Sequence, residues 1–198
     1  ENFIVRAKEI DPDFHCYPDV LDYISQAKDS DYRKGYLSKL TDENLDNLLK
    51  TSLYPYQKEG IRFAFEKGKS IIADEMGLGK TVQAIGAAEL LRKSGLVSSV
   101  LIICPTSLKY QWQKEIEKFT DSSAVVIEGN PIARAQMYKS DALYKIVSYH
   151  AMNRDVRMKG EMYAECVIMD EVQRLKNWNT QIARSARHIH SDYSIVLS

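Results

Sequence analysis

With 198 residues, 44% apolar and 27% charged side chains, the chain has the make-up of one globular domain plus an appendage, long enough to bury a core. Its formal net charge of zero points by itself to no polyanionic partner, and no apolar run approaches the roughly 18–20 residues that cross a bilayer, so no spanning helix and no membrane partner are expected. The balance is uneven along the chain: residues 1–50 hold 7 Lys/Arg against 11 Asp/Glu, and residues 51–198 hold 20 against 16.

Residues 1–50 are acidic, rich in aromatics and free of strand-like alternation. Thr41-Asp42-Glu43 ahead of Leu45, Leu48 and Leu49 predicts a short capped helix. The stretch reads as a small, mainly helical N-terminal appendage, and its charged start lacks the apolar region of a signal peptide. From residue 70 the pattern changes. Strands are predicted at 70–73, 100–104, 124–127, 144–148, 166–169 and 194–197, several of them apolar on both faces. Between them lie helical stretches. Thr81–Lys93 carries alanine and leucine nearly all round, which predicts a helix buried against a sheet. In Ser107–Phe119, Leu108, Trp112, Ile116 and Phe119 form one apolar stripe, which assigns Trp112 to the core. Strand, helix and strand repeated in this way predict an α/β domain with a parallel sheet and helices on both faces. Cys16, Cys104 and Cys166 lack metal-ligand spacing; the last two lie in apolar strands and read as buried reduced thiols, which suits a cytoplasmic or nuclear protein.

The chemistry begins where the first strand ends. Residues 74–81 read Asp-Glu-Met-Gly-Leu-Gly-Lys-Thr, a Gly-rich turn between a strand and a helix. Such a turn aims backbone N–H groups, a helix N-terminus and a lysine at one point, which suits the triphosphate of ATP or GTP. Lys80 would reach the β/γ-phosphates and the Thr81 hydroxyl would take a place on Mg²⁺. The general phosphate-loop pattern has glycine where this chain has Asp74. The second element is Cys166-Val167-Ile168-Met169-Asp170-Glu171, a strand ending in two carboxylates. Taken alone it is a common solvated turn. Downstream of a phosphate loop, it predicts Asp170 at Mg²⁺ and Glu171 as the group that polarises the attacking water.

Together, Asp-Glu-Met-Gly-Leu-Gly-Lys-Thr and Asp-Glu-Val-Gln-Arg-Leu-Lys-Asn resemble the Swi/Snf family of ATP-dependent DNA translocases within helicase superfamily two. That family's phosphate loop has Asp-Glu-Met-Gly at this point, which accounts for Asp74. Three further blocks fall in family order: Leu53-Tyr54-Pro55-Tyr56-Gln57, Leu101 to Leu108 running on to Trp112, and Ile146-Val147-Ser148-Tyr149-His150. The resemblance covers about residues 51–198 and implies the first, ATP-binding RecA-like lobe of a P-loop NTPase, of bacterial type by its compact motif spacing. It implies ATP and Mg²⁺ as cofactors. Adenine would lie near Tyr54 and Tyr56 with Gln57 on its Hoogsteen edge, and the phosphates on Met76, Gly77, Leu78, Gly79, Lys80 and Thr81. Duplex DNA would meet Pro105, Thr106, Ser107, Ser148, Tyr149, His150, Lys176 and Asn177. Thr106 and Ser107 have a second reading as helix caps, and His150 as a loop or capping residue.

Two departures stand out. Gln173 occupies the position where the family usually has histidine, a place implied to couple ATP to the opposite lobe. The chain also stops at Ser198, where the family continues into a second RecA-like lobe with an arginine finger, so the 198-residue piece is expected to hydrolyse ATP negligibly. The implied whole protein is a DNA-stimulated ATPase that moves on duplex DNA and remodels protein–DNA complexes, with a DNA-bound protein such as RNA polymerase among its partners. Two other readings stay open: a different superfamily-two motor (a restriction-type translocase or an RNA-polymerase-recycling ATPase), and a nucleotide-dependent scaffold without turnover.

Overall fold

Residues 6, 9–11, 17–75, 77–175 and 180–198 are described in the computed structural model. They fall into two compact units, Glu1–Ser38 and Lys39–Ser198. The first contains helix α1 (Pro18–Leu37), which begins on a proline at its first turn, where the missing N–H removes no hydrogen bond. Asp29 and Arg33 pair one turn apart on it.

The second unit opens with a short helix, α2 (Asp42–Asp46). Thr41 accepts a bond from the Asn44 N–H at 3.2 Å and the Asn44 side chain accepts one from the Thr41 N–H at 3.0 Å, a reciprocal cap. Leu45, Leu48 and Leu49 are buried. Composition groups residues 39–50 with the acidic N-terminus; in the fold they lie within the larger unit. Then come α3 (Pro55–Lys67), β1 (Lys69–Ile72), α4 (Lys80–Lys93), β2 (Val100–Cys104), α5 (Lys109–Phe119), β3 (Ala124–Ile127), α6 (Pro131–Tyr138), β4 (Tyr144–Ser148), α7 (Tyr149–Lys159), β5 (Met162–Met169), α8 (Gln181–Ala186) and β6 (Ile189–Leu197). Single 3₁₀ turns at Thr106–Leu108 and Val172–Leu175 follow β2 and β5.

All six strands run parallel, in the order β1-β6-β5-β2-β4-β3. Parallel strands need crossovers, and the helices supply them while covering both faces. Leu101, Ile103, Val147 and Val167 pack on one side with Met152 and Val156 of α7. Their strand neighbours Val100, Ile102, Ile146 and Ile168 are just as buried and point the other way. Every residue of α4 from Gln83 to Leu91 is buried, as its all-round apolar pattern predicts. The one carboxylate in that run, Glu89, accepts bonds from Arg92, Ser122 and Tyr144, so its burial leaves no charge unpartnered. Among the described residues no helix is long and apolar enough to cross a membrane.

This topology places every strand's C-terminal end on one edge of the sheet. The loops after β1, β5, β2 and β4, where the sequence puts its chemistry, share that edge.

Candidate nucleotide-binding site

The loop between β1 and α4 depends on two left-handed glycines, Gly77 (φ 87) and Gly79 (φ 75). At Gly79 a side chain is barred twice, by the backbone angle and by Gln57, whose Nε2 lies 2.6 Å from where a Cβ would stand. Asp74 needs no such freedom: its φ is not positive, so a residue with a side chain fits where the general pattern has glycine. That side chain is used, since the Asp74 carboxylate accepts a 2.7 Å bond from Gln83 Nε2 on α4. The Asp74 carbonyl accepts a 2.6 Å bond from the Lys80 ammonium, which folds the lysine back into its own loop. Thr81 is half-buried in the first turn of α4, and Met76 lies outside the described residues.

Gln57 is buried rather than open to solvent. Its Oε1 accepts the Tyr54 N–H at 3.1 Å, and its Nε2 donates to the Leu78 carbonyl at 3.3 Å. The amide therefore ties α3 to the phosphate loop and keeps one N–H and one lone pair for another partner. The Tyr54 and Tyr56 rings stack on each other at the exposed start of α3, centroids 5.8 Å apart and 6° from parallel.

At the end of β5, Asp170 is held on three sides. Its N–H donates to the Ile103 carbonyl at 2.9 Å, its own carbonyl accepts the Tyr149 hydroxyl at 2.8 Å, and its Oδ2 accepts the Trp112 indole N–H at 2.9 Å. Burial pushes the Asp170 carboxyl above the usual carboxylate range, opposed by the Trp112 bond and by the positive charge of Lys80. That influence of Lys80 ties the phosphate loop electrostatically to the second motif, although β6 separates their strands. Glu171 has φ 56, the one positive φ outside glycine among the described residues, and its carboxylate accepts a 2.8 Å bond from the exposed Gln173. The donor set suits a hydrated divalent ion: a threonine hydroxyl and a carboxylate with acceptor capacity beyond its bond to Trp112.

The residues expected at DNA divide. Thr106 and Ser107 are exposed, and their side chains cap neither the 3₁₀ turn nor α5 and make no hydrogen bond among the described residues. Pro105 is half-buried and His150 exposed. Ser148 and Tyr149 are buried, Ser148 capping α7 through the Ala151 N–H at 3.2 Å and Tyr149 turned inward onto Asp170. Lys176 and Asn177 lie outside the described residues. Trp112 is core, as its stripe predicts, at 2% exposure. Its second role was missed, and the signal was the indole N–H itself, which seeks an acceptor when buried.

A separate cavity of about 380 Å³ opens beside the first residues of β2, β4 and β5, at the opposite edge of the sheet. Lys145 and Lys159 on its wall are matched by Glu161 and Glu165, which leaves no surplus charge to recruit a triphosphate.

The SNF2-related domain family matches residues 56–198. An uncharacterized ATP-dependent helicase of Mycoplasma genitalium is 31% identical over 201 residues, covering 93% of this chain and 19% of that protein. Chromodomain-helicase-DNA-binding protein 8 of Danio rerio is 29% identical over 182 residues, which is 81% of this chain and 7% of that protein. Among solved structures, the Sulfolobus solfataricus SWI2/SNF2 ATPase core in complex with dsDNA matches with a TM-score of 0.69 at 30% identity, over 76% of this chain and 32% of that one. The chain thus spans about a fifth of its Mycoplasma relative.

Proposed function

This chain belongs to the SNF2-related domain family, with the RecA-like fold of the SWI2/SNF2 ATPase core, and from that premise we propose that residues 51–198 are the ATP-binding lobe of a motor that moves on duplex DNA and remodels protein–DNA complexes. The observation that carries the reading is the placement of the loop leading to Lys80 and of Asp170-Glu171 on one edge of a parallel sheet.

In this reading the N–H groups of the loop through Lys80 hold the phosphates, and Lys80 exchanges the Asp74 carbonyl for a phosphate oxygen. Adenine lies against Tyr54 and Tyr56, and the remaining amide valences of Gln57 meet its edge. Thr81 and Asp170 hold Mg²⁺, which supplies charge neutralisation at the β/γ-phosphates. Glu171 accepts a proton from the attacking water, with its carboxylate oriented by Gln173. Thr106, Ser107, Pro105 and His150 meet backbone phosphates, which position the protein without reading sequence.

A second lobe completes the site in this proposal. Arginine fingers contribute roughly 10³–10⁵ in rate, so residues 1–198 alone are expected to turn over ATP negligibly, while the intact protein is stimulated by duplex DNA. The work lies where chromosomes are, in a bacterial nucleoid or a nucleus, and RNA polymerase on DNA is one roadblock such a motor would act upon. The test is displacement by the intact protein: release of a triplex-forming strand without separation of a blunt duplex is expected. Duplex unwinding without triplex release overturns translocation, and brisk DNA-dependent turnover by the 198-residue chain, lost in Lys80→Ala, overturns the need for a second lobe.

A further inference from the structure

Along the edge of the sheet that carries the loops, β5 stands between two groups. The phosphate loop follows β1 on one side; the loops at 105–108 and 148–150 follow β2 and β4 on the other. Asp170, at the end of β5, is therefore the point where the two groups meet. Each of the two outer loops leads directly into a residue that bonds to it. Trp112, in the first turn of α5, donates its indole N–H to Asp170 Oδ2 at 2.9 Å, and Tyr149, the first residue of α7, donates its hydroxyl to the Asp170 carbonyl at 2.8 Å. Both side chains are buried, so neither contacts nucleic acid itself.

The peptide they grip is the one that turns into Glu171, at φ 56. A side chain other than glycine persists there when its surroundings over-determine it. Here they do: the Ile103 carbonyl, Tyr149 and Trp112 fix Asp170, and Gln173 holds the Glu171 carboxylate at 2.8 Å. Phenylalanine at 149 would fill nearly the same apolar space without the hydroxyl's bond, while at 112 it removes the indole N–H together with part of the ring volume. The polar atoms are thus the informative part of these two residues.

We propose that Trp112 and Tyr149 are positioning residues that transmit the state of the 105–108 and 148–150 loops to Asp170 and Glu171, so that nucleic acid on those loops sets the metal-side carboxylate and the general base. The inference rests on the reading of Asp170 and the two loops given above. A phosphate bound at Thr106 or Ser107 shifts the start of α5, and with it the indole; one bound at His150 shifts the start of α7, and with it the phenol. Either shift moves a hydrogen-bond donor against the Asp170–Glu171 peptide.

The test uses the intact protein containing this chain, with Trp112→Phe, Tyr149→Phe, Lys80→Ala and wild type side by side. Three quantities are read: affinity for a non-hydrolysable ATP analogue in EDTA, the Mn²⁺ concentration that half-saturates the analogue complex by electron paramagnetic resonance, and the ratio of ATP turnover with and without duplex DNA. Each aromatic variant is expected to raise the half-saturating Mn²⁺ roughly 10-fold, as loss of an outer-shell partner does, and to bring the stimulation ratio toward one. Analogue affinity in EDTA is expected to stay at the wild-type value, which a general loss of packing would not permit. Wild-type Mn²⁺ dependence and stimulation in both variants overturn the proposal, as does a parallel fall in all three quantities. Lys80→Ala separates the two levels: if it retains turnover, the site assignment itself fails; if it is inactive while both aromatic variants behave as wild type, only the coupling fails. Should Trp112→Phe not fold, Tyr149→Phe decides.

Discussion

The Lys80 ammonium donates to the Asp74 carbonyl at 2.6 Å, six residues back in its own loop. A nucleotide therefore competes with the loop for its lysine, and the lysine contributes to the loop's shape before any ligand arrives. Lys80→Ala is expected to keep the fold and lose the ligand. At ligand concentrations about 100 times Kd, binding stabilises by ~2.7 kcal/mol, or roughly 5–10 °C in a domain of this size. Differential scanning fluorimetry with Mg-ATP should register that rise in the wild type and none in Lys80→Ala. An equal rise in both would remove Lys80 from the phosphate site.

Gln83 explains why the loop tolerates, and uses, aspartate in place of glycine. Its Nε2 bond to Asp74 at 2.7 Å crosses from α4 to the loop, and its other end presses on Gly60 of α3, where a Cβ would meet Oε1 at 1.9 Å. Gln83→Ala leaves the half-buried Asp74 carboxylate short of a donor, at a cost of about 1 kcal/mol, which predicts a fall in Tm of ~2–4 °C. Gly60→Ala should give a fall of the same sign, because the new methyl displaces the Gln83 amide. Asp74→Gly, which restores the general loop pattern, should also destabilise, by about 0.5–1 kcal/mol or more. A stabilised Asp74→Gly in thermal melts would show that the carboxylate is incidental.

Much of this arrangement was legible in the chain. The strands expected at 100–104, 124–127 and 144–148 have those bounds in the fold, because central parallel strands are continuous apolar runs between turn residues. β5 and β6 begin earlier than expected, at Met162 and Ile189, since their first halves carry exposed Tyr163, His190 and Asp192 and pair with each other in register. Alternation in an extension of that kind is hard to tell from loop. The first turn expected in α5 is instead a 3₁₀ turn over Thr106–Leu108, with the α-helix starting at Lys109. Local pattern located Asp170 and Trp112 separately. Their bond joins residues 58 apart in sequence, and only the β2–β5 pairing brings α5 over the end of β5.

Cys104 and Cys166 sit at opposite ends of that pairing logic, both in central strands and both without a disulfide partner. Burial pushes each thiol from the ordinary 9.0 up to about 12. The thiolate is the reactive form, so neither should react with Ellman's reagent in the native protein at pH 8, while denaturant should release both. The sign of the linkage follows from the raised values: the folded chain holds these protons more tightly than the unfolded one. Their contribution to stability is complete below pH 9 and is lost as pH rises from 9 through about 12. Rapid native labelling at either position would contradict the buried placement.

Asp170 carries the same sign with a different consequence. Burial raises its carboxyl above the ordinary 3.8, so the folded chain again holds the proton more tightly than the unfolded one. The stability linked to this group is fully present below pH 3.8 and declines as pH rises through the raised value. At neutral pH the ionised carboxylate is thus a cost to the fold, tolerated for what it binds. Asp170→Asn removes the charge and keeps an oxygen for the Trp112 indole N–H, now 2.9 Å away. In metal-free buffer at pH 7 the variant should melt above wild type, the direction that burial of the Asp170 charge dictates. The difference should shrink as pH is lowered through the raised value, where the wild-type carboxyl takes up its proton. With Mg-ATP present the order should reverse, because only the wild type gains from the ligand. A variant that melts below wild type in metal-free buffer at every pH would mean that the Asp170 charge stabilises the empty fold, against the direction that its burial dictates.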